Sequence, residues 1–288
     1  MFEIVKNYRD NEALRHSFNE LAGETFGLNF EDWYQNGFWT DNYNPYSVVI
    51  DGRVVANVSV NRTDMEINGE VKHFLQLGTV MTEESYRNQG LSRKIMEQIE
   101  TDFDGKVDGY YLFGNDSVLD FYPRFGFRKA KEYQYSKKVS NQRAVQVKKV
   151  IMDNNEKWKQ LISVMNRNVF RGRFDMVNNN ELIMFYVTKF MQENVFYHEA
   201  TNTYVIAEEE EGSLFIHNVF SATLKSLDEA IALFGEEIKE ATLGFVPMET
   251  EGYTVTEYHE EDCTFFIKGE ALNAVEMDKL RIPTLSHA

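Results

Sequence analysis

Residues 75–96, LQLGTVMTEESYRNQGLSRKIM, decide how this chain folds. An apolar run stops at the polar TEES, and apolar residues resume after Gly90 at helical spacing, so a strand, a short loop and a helix are predicted. A helix N-terminus carries unpaired backbone N–H groups and about half a positive charge, which suits a phosphate or pyrophosphate. Gly90 lets the backbone approach such an anion, and Arg87, Arg93 and Lys94 add positive charge. The alternative is an ordinary strand–loop–helix joint, because short glycine motifs are weak signals alone.

Two motifs in the right order favour the anion site. YRNQGLSRKIM resembles the acetyl-CoA motif of the GNAT superfamily of N-acetyltransferases, Gln/Arg-x-x-Gly-x-Gly/Ala, with Arg87, Gly90 and Ser92 at its three signature positions. Ser92 departs from Gly/Ala, although serine is small and can donate to an anion. NDSVLDFYPRFGF, residues 115–127, is similar to the later N-x6-Tyr-x3-Gly-Phe segment of the family. The resemblance implies an α/β fold whose mixed, splayed central sheet is flanked by helices.

Length and composition indicate an ordinary globular protein. The chain has 288 residues, enough for two domains, and 43% hydrophobic and 14% aromatic residues supply a core. Its one cysteine, Cys263, excludes an internal disulfide and a cysteine-based zinc site. The start MFEIVKNYRDNE does not resemble a signal peptide, and no apolar stretch approaches the roughly 20 residues of a membrane span. A soluble, cytoplasmic protein without a metal is expected.

The charge is acidic and uneven. The formal net charge of −16 disfavours nucleic acid and is compatible with a cationic small molecule or a basic peptide as partner. The alternative is acidity that serves solubility alone. Residues 1–147 hold 17 Lys and Arg against 22 Asp and Glu, whereas residues 148–288 hold 13 against 24. The half with the anion-binding motif is therefore the less acidic one, as a site for CoA requires.

Periodicity predicts the elements around the motif. A strand over 2–6 precedes a helix from Asn11 to Phe26, ended by Gly27, and a short helix follows over 30–37. The further predictions are a hairpin at Asp51-Gly52, a turn at Asn68-Gly69, a helix over 91–103, a strand over 110–113, a helix over 117–125 and a strand over 127–139.

The second half is interpreted as a worn copy of the first. IHNVFSATLKSLDEAIALF aligns with LGTVMTEESYRNQGLSRKIM, LGFVP with LFGND, and GYTVTEY with GFRKAKEY. The copy lacks the Arg/Gln-x-x-Gly motif and has no tyrosine in place of Tyr122, so it is not expected to bind CoA. The predicted domains are 1–140, with the acetyl-CoA site, and 141–288, a smaller α/β domain of similar topology that stabilises the fold or shapes the acceptor site.

The resemblance also implies roles for individual residues. Backbone N–H groups of residues 88–93 would face the pyrophosphate, residues 80–82 would run beside the pantetheine arm, and Asn115 would meet the cofactor or cap the following helix. Tyr122 would be the general acid that protonates the leaving thiolate, its alternative being a core aromatic residue. The predicted cofactor-binding residues are Val80, Met81, Thr82, Arg87, Asn88, Gln89, Gly90, Leu91, Ser92, Arg93 and Asn115.

No residue is named as the general base. Candidates near the acceptor side in this family are Glu24, Glu66, His73, Glu83 and Glu84, and water chains are the alternative. The C-terminal carboxylate, after LSHA, could reach the site or fray. The aromatic loop FWTDNYNP, residues 38–45, is a candidate wall for a cationic amine, or else it packs under the loop.

The sequence therefore predicts an N-acetyltransferase that moves the acetyl group of acetyl-CoA to a primary amine of a small molecule or peptide by direct attack. The alternative is a non-catalytic acyl-CoA sensor or interaction module on the same fold. A nucleotide-binding protein is disfavoured, because the chain has neither a GxxxxGK[ST] loop nor a GxGxxG turn.

Overall fold

The computed structural model describes residues 3–67, 69–140, 144–224 and 226–287. The elements of its first half are β1 (Glu3–Lys6), α1 (Glu12–Phe26), α2 (Glu31–Gln35), β2 (Tyr43–Ile50), β3 (Arg53–Ile67), β4 (Glu70–Thr82), α3 (Leu91–Phe103), β5 (Gly109–Gly114), β6 (Arg128–Lys129) and β7 (Glu132–Lys138). Those of its second half are β8 (Lys148–Lys149), α4 (Asn155–Met165), β9 (Phe174–Val177), α5 (Asn180–Lys189), β10 (Val195–His198), β11 (Thr203–Glu210), β12 (Ser213–Phe220), α6 (Leu227–Ala232), β13 (Glu240–Leu243), β14 (Thr254–Tyr258), β15 (Thr264–Lys268) and α7 (Ala274–Met277).

The first sheet is mixed, with the strand order β1-β2-β3-β4-β5-β15-β6. The strands β1 to β4 are antiparallel, β4 and β5 are parallel, and β15 is antiparallel to both of its neighbours. β9 pairs with the far end of β3. The helix α3 packs against β2, β3 and β4, and its apolar stripe of Leu91, Ile95, Met96 and Ile99 is buried there. This arrangement puts the α3 N-terminus beside the end of β4, where the motif required it.

The second sheet repeats the order of the first. It runs β8-β10-β11-β12-β13-β7-β14, and its parallel pair is β12 and β13, joined through α6 as β4 and β5 are joined through α3. The predicted fold class is confirmed: a mixed α/β sheet with flanking helices is followed by a second α/β unit of similar topology.

Each sheet contains strands from the other half of the chain, and β9 is one of them because it pairs with β3 of the first sheet. β7, which precedes residue 140, lies between β13 and β14, whereas β15 lies between β5 and β6. The single strand predicted over 127–139 is therefore wrong, because it is the two strands β6 and β7 in different sheets, and β14 and β15 divide residues 254–268 in the same way. Local alternation specifies that a segment is extended, but not which neighbour it pairs with. The domain boundary near 140 stays a prediction, and the chain crosses between the sheets on both sides of it.

Local signals placed α1 correctly. The Asn11 side chain accepts a hydrogen bond from Leu14 N at 3.2 Å, and Gly27 ends the helix with φ 68° while its N–H donates to Gly23 O. The helix predicted over 117–125 is wrong: Asp116–Val118 and Tyr122–Phe125 are separate 3₁₀ turns. Pro123 lacks the N–H that an α-helix would use, and Gly126 turns the chain away at φ 81°. Asn68, in the predicted turn, lies outside the described residues.

Asp175 on β9 gives the fold a pH-dependent element. Its side chain is only 8% exposed and accepts a hydrogen bond from Gly172 N at 3.2 Å, and burial raises the pKa of this carboxyl from 3.8 to about 6. The folded chain therefore keeps a proton between about pH 4 and 6 that the unfolded chain releases, so stability falls as the pH rises through this window.

Asp175→Asn should remove that loss, because an amide oxygen can keep the hydrogen bond without ionising. We expect the variant to gain up to about 3 kcal/mol of unfolding free energy over wild type between pH 4 and pH 7. Urea denaturation at several pH values measures the difference. The exposed Asp120 provides a control, since Asp120→Asn should follow the wild-type profile. Parallel profiles for Asp175→Asn and wild type would contradict the prediction.

Candidate active site

The site begins where β4 and β5 part. The two strands pair only at Phe74–Gln76 with Gly109–Tyr111, although β4 continues to Thr82 and β5 to Gly114. Beyond the last pair, a cleft of about 1190 Å³ opens between them. One edge of β4 stays paired with β3, and the other borders the cleft with backbone groups that have no neighbouring strand in the described pairing. An extended ligand with amide groups can therefore bind there as a strand would.

A bulge shapes this edge of β4. The register with β3 shifts between Asn57 and Ser59, and Thr79 takes an unusual φ of 45°. The Asn57 amide donates to Thr79 O at 2.9 Å, and the Tyr43 hydroxyl bonds to the Thr79 side chain. Thr79 and Val80 both line the cleft. Bulges change the direction of backbone groups within a strand, so the fixed Thr79–Val80 backbone is a candidate for contact with a reacting carbonyl.

The N-terminus of α3 closes one end of the cleft. Asn88 and Gly90 are both left-handed, with φ 62° and 75°, and no side chain caps the helix. Its first-turn N–H groups therefore remain available for an anion. A Cβ added to Gly90 would meet no protein atom within 4 Å, so the space over the loop is open. This donor set and open space fit the pyrophosphate of CoA.

Ser92, which departs from the family pattern, has a structural partner. Its hydroxyl lies 3.0 Å from the Thr82 hydroxyl, and Arg87 Nε donates to Thr82 O at 3.2 Å. These two contacts tie the loop to the end of β4. The small side chain of serine is thus compatible with the loop geometry.

Tyr122 stands on the opposite wall of the cleft. Its ring is 4% exposed and packs on Gly114, Phe266 and Phe127, and a Cβ on Gly114 would lie 2.8 Å from the ring. Burial raises the pKa of the Tyr122 phenol to about 12, which keeps it protonated at neutral pH. Among the described residues its hydroxyl has no hydrogen-bond partner. The ring is thus held by packing while the hydroxyl is left for a ligand.

Asn115 lies beside Tyr122 on the same wall, at the end of β5. Its side chain accepts a hydrogen bond from the Ser117 hydroxyl at 2.6 Å and does not cap a backbone N–H. The capping role considered for it is therefore not observed, and its cofactor role stays a prediction.

The structure brings the predicted cofactor residues together along one cleft, with one exception. Gln89 does not line it, because its side-chain amide donates to Ser85 O at 3.2 Å. The candidate bases are also elsewhere: His73 pairs with Asp64 at 2.7 Å, and Glu83 faces Arg53. Among the described residues lining the cleft there is no aspartate or glutamate.

Sequence reasoning missed the residues that the second half of the chain contributes to the cleft. Leu182, Phe185 and Tyr186 of α5 and Phe190 after it line the cleft next to residues 25–33 of the first half, and Phe185 stacks on Phe30. The sequence predicts a helix over 181–192 but not that it lines a cleft. Two aromatic residues of the 38–45 loop differ in their relation to the cleft. Both Trp39 and Tyr43 are buried, and Trp39 donates through Nε1 to Tyr43 O at 2.8 Å, but Tyr43 also lines the cleft.

The C-terminal segment also reaches the cleft. Tyr111 donates to Ser286 O at 3.2 Å and Tyr186 to His287 O at 2.6 Å, and the His287 ring stacks on Phe113 at 4.0 Å. Residues 285–287 are therefore packed and do not fray, while Ala288, with the terminal carboxylate, lies outside the described residues. Burial lowers the pKa of the His287 imidazole to about 3, which makes it a weak base.

The same segment fills the corresponding fork of the second sheet. Past the β12–β13 pairing, Thr284 N donates to Gly244 O at 2.8 Å, and a Cβ on Gly244 would lie 2.5 Å from Thr284 Oγ1. His217 Nδ1 adds a contact to Thr284 Oγ1 at 2.9 Å. That the second unit binds no CoA stays a prediction.

Three solved structures share this architecture. A protein of Enterococcus faecalis V583 described as a probable N-acyltransferase is 15% identical over 97% of this chain and 74% of its own, with a TM-score of 0.60. A GCN5-related N-acetyltransferase of Kribbella flavida is 14% identical over 93% of this chain and 72% of its own, with a TM-score of 0.54. One of Anabaena variabilis ATCC 29413 is 11% identical over 93% of this chain and 72% of its own, with a TM-score of 0.55. A sequence comparison with curated proteins gave no match.

The fold is thus that of the GCN5-related acetyltransferase structures. The family model for the acetyltransferase (GNAT) domain matches residues 9–130 of this chain, a range that contains both motifs.

No helix of the described residues has the length and apolarity to cross a membrane, and among the same residues no group of three or more His, Cys, Asp or Glu could hold a metal ion. The predicted cytoplasmic location and the predicted absence of a metal stay predictions.

Proposed function

We propose that this protein is an N-acetyltransferase that moves the acetyl group of acetyl-CoA to a primary amine by direct attack. One observation carries the proposal. The open fork between β4 and β5 has the uncapped N-terminus of α3 at one end and the Tyr122 hydroxyl on its wall. In the reaction, the amine nitrogen bonds to the acetyl carbon, the carbon–sulfur bond breaks with its electron pair going to sulfur, the nitrogen loses a proton and the sulfur gains one.

The chain would position acetyl-CoA through backbone groups. The N–H groups of Leu91, Ser92 and Arg93 would bind the pyrophosphate, and Arg87 and Arg124 would add charge near it. Residues 80–82 would pair with the pantetheine amides along the open edge of β4. The rigid bulge at Thr79 would present backbone groups near the thioester carbonyl.

Tyr122 would supply the proton for the sulfur. Burial keeps its phenol neutral, and the same apolar surroundings disfavour a free thiolate, which makes the sulfur a better proton acceptor. The proton from the amine would leave through water, because none of the described lining residues is a carboxylate and His287 is a weak base.

The second candidate is a silent acyl-CoA-binding module on the same fold. Two features favour the enzyme: the Tyr122 hydroxyl without a partner among the described residues, and the acceptor end of the cleft, which α5 and residues 25–33 line. Binding of acyl-CoA alone requires neither. A thiol-release assay on the full chain tests this choice. With acetyl-CoA and a panel of primary amines, we expect amine-dependent release at least 10-fold above hydrolysis. Calorimetric binding of CoA without amine-dependent release would favour the silent module.

A further inference from the structure

We infer that the acceptor is a monoamine with an aromatic body, an arylalkylamine in chemical class, and that its ring binds along a row of four aromatic side chains. This inference rests on the proposed function and adds the substrate class. The row consists of Phe190, Phe185, Phe30 and Tyr43, all of which line the cleft.

The row is continuous from the rim of the cleft to its reactive centre. Phe190 meets Phe185 edge-on with centroids 5.5 Å apart, Phe185 stacks on Phe30 at 5.3 Å, and Phe30 stacks on Tyr43 at 5.5 Å. The hydroxyl of Tyr43 then contacts Thr79 at the β4 bulge. An amine extended by a short linker from a ring on this row would therefore reach the position proposed for the thioester.

The rim itself is apolar and open. Phe190 is 52% exposed, and Phe26, which the first half of the chain contributes to the lining, is 45% exposed. Large aromatic side chains are usually buried, and here two of them stand at the mouth of one cleft. Exposed aromatics that continue into a pocket are typical of binding sites for apolar groups.

The charges disfavour a polyamine. None of the described lining residues is aspartate or glutamate, so a second positive charge on the acceptor would meet no described carboxylate side chain there. A charged side chain packed on the row is itself a cation: Lys189 Nζ lies 5.9 Å from the ring centroids of both Phe185 and Phe190. The acidic side chains of the described residues thus lie outside the lining of the cleft and do not select polycations there.

Calorimetry on the full chain saturated with CoA tests binding without turnover. We expect 2-phenylethylamine to bind at least 10-fold more tightly than n-butylamine, which lacks the ring, and than putrescine, which carries two charges. Thiol release with acetyl-CoA should rank the three amines in the same order of kcat/KM.

Two rim variants locate the ring. Phe190→Ser and Phe26→Ser change exposed side chains, so the fold and the CoA affinity should persist while the preference for phenylethylamine falls at least 5-fold. Met277, which is 81% exposed and outside the cleft, supplies the control, because Met277→Ser should keep the full preference.

Three outcomes would overturn the inference: putrescine binds as tightly as 2-phenylethylamine or more tightly, none of the three amines binds, or both rim variants keep the full preference. Each of these outcomes would leave the proposed acetyl transfer to other amines standing. A full chain that does not bind CoA would overturn the proposed function together with it.

Discussion

Tyr122→Phe should lower kcat by roughly 10²–10⁴-fold, about 3–5 kcal/mol of barrier, because the positioned proton donor is lost. The phenyl ring keeps its packing on Phe266 and Phe127, and the removed hydroxyl has no partner among the described residues, so the melting temperature should stay at the wild-type value. The affinity for CoA should also change little, since in the proposed binding mode the hydroxyl would face the sulfur and not the phosphates. Thiol release and thermal melting on the same preparation measure these effects.

Tyr110→Phe is the matched control for this variant. Tyr110 lies on β5, burial also raises the pKa of its phenol to about 12, and it does not line the cleft. It should keep wild-type kcat. A wild-type kcat in Tyr122→Phe, with any amine that turns over, would remove this tyrosine from the mechanism.

Gly90→Glu should weaken CoA binding by 100-fold or more, about 2.8 kcal/mol. Two causes act together: the left-handed φ of 75° disfavours any side chain, and a carboxylate would stand where the pyrophosphate is expected. Wild type should bind one equivalent of CoA, and the variant should show no remaining tight site, because the fork of the second sheet is filled by residues near Thr284. Calorimetry measures both the affinity and the stoichiometry.

Gly90→Gln separates charge from backbone strain, because it has the same size and the same φ penalty; we expect it to lose less affinity than the glutamate variant. Gly52→Glu is a further control, with φ 78° and open space at a hairpin outside the cleft, and it should bind CoA normally. Unchanged binding in Gly90→Glu would exclude the proposed anion site, and two equivalents in wild type would show that the second unit also binds CoA.

The cofactor end could be predicted from the sequence because its determinants are local. A glycine before an apolar helical stripe specifies a left-handed residue followed by a helix N-terminus, and Gly90 and α3 have these conformations. Asn115 and Tyr122 follow the buried strand β5 within a few residues, so the sequence could also predict that both line the cleft. These features depend on the backbone within a few residues of the motif.

The acceptor end could not be predicted because its residues are remote in sequence. Phe185 meets Phe30 only through tertiary packing, and the apolar residues of α5 do not reveal what they will contact. The partners of β7 and β15 were equally hidden, since strand pairing over long separations leaves no periodic trace. The candidate bases lie outside the lining of the cleft for a related reason, because the position of a side chain relative to a cleft depends on how the whole chain packs.

The exchange of β7 and β15 has a consequence for biosynthesis. The strand β5 acquires its second neighbour only when residues 264–268 have been made, 150 residues after β5 ends at Gly114. The first sheet is therefore not expected to finish folding on the ribosome before the second half of the chain is made, and its long-range contacts predict slow closure. Until then β5 presents an open edge that can pair with another chain. Truncated products that end before β15 should consequently aggregate and not accumulate as a free half.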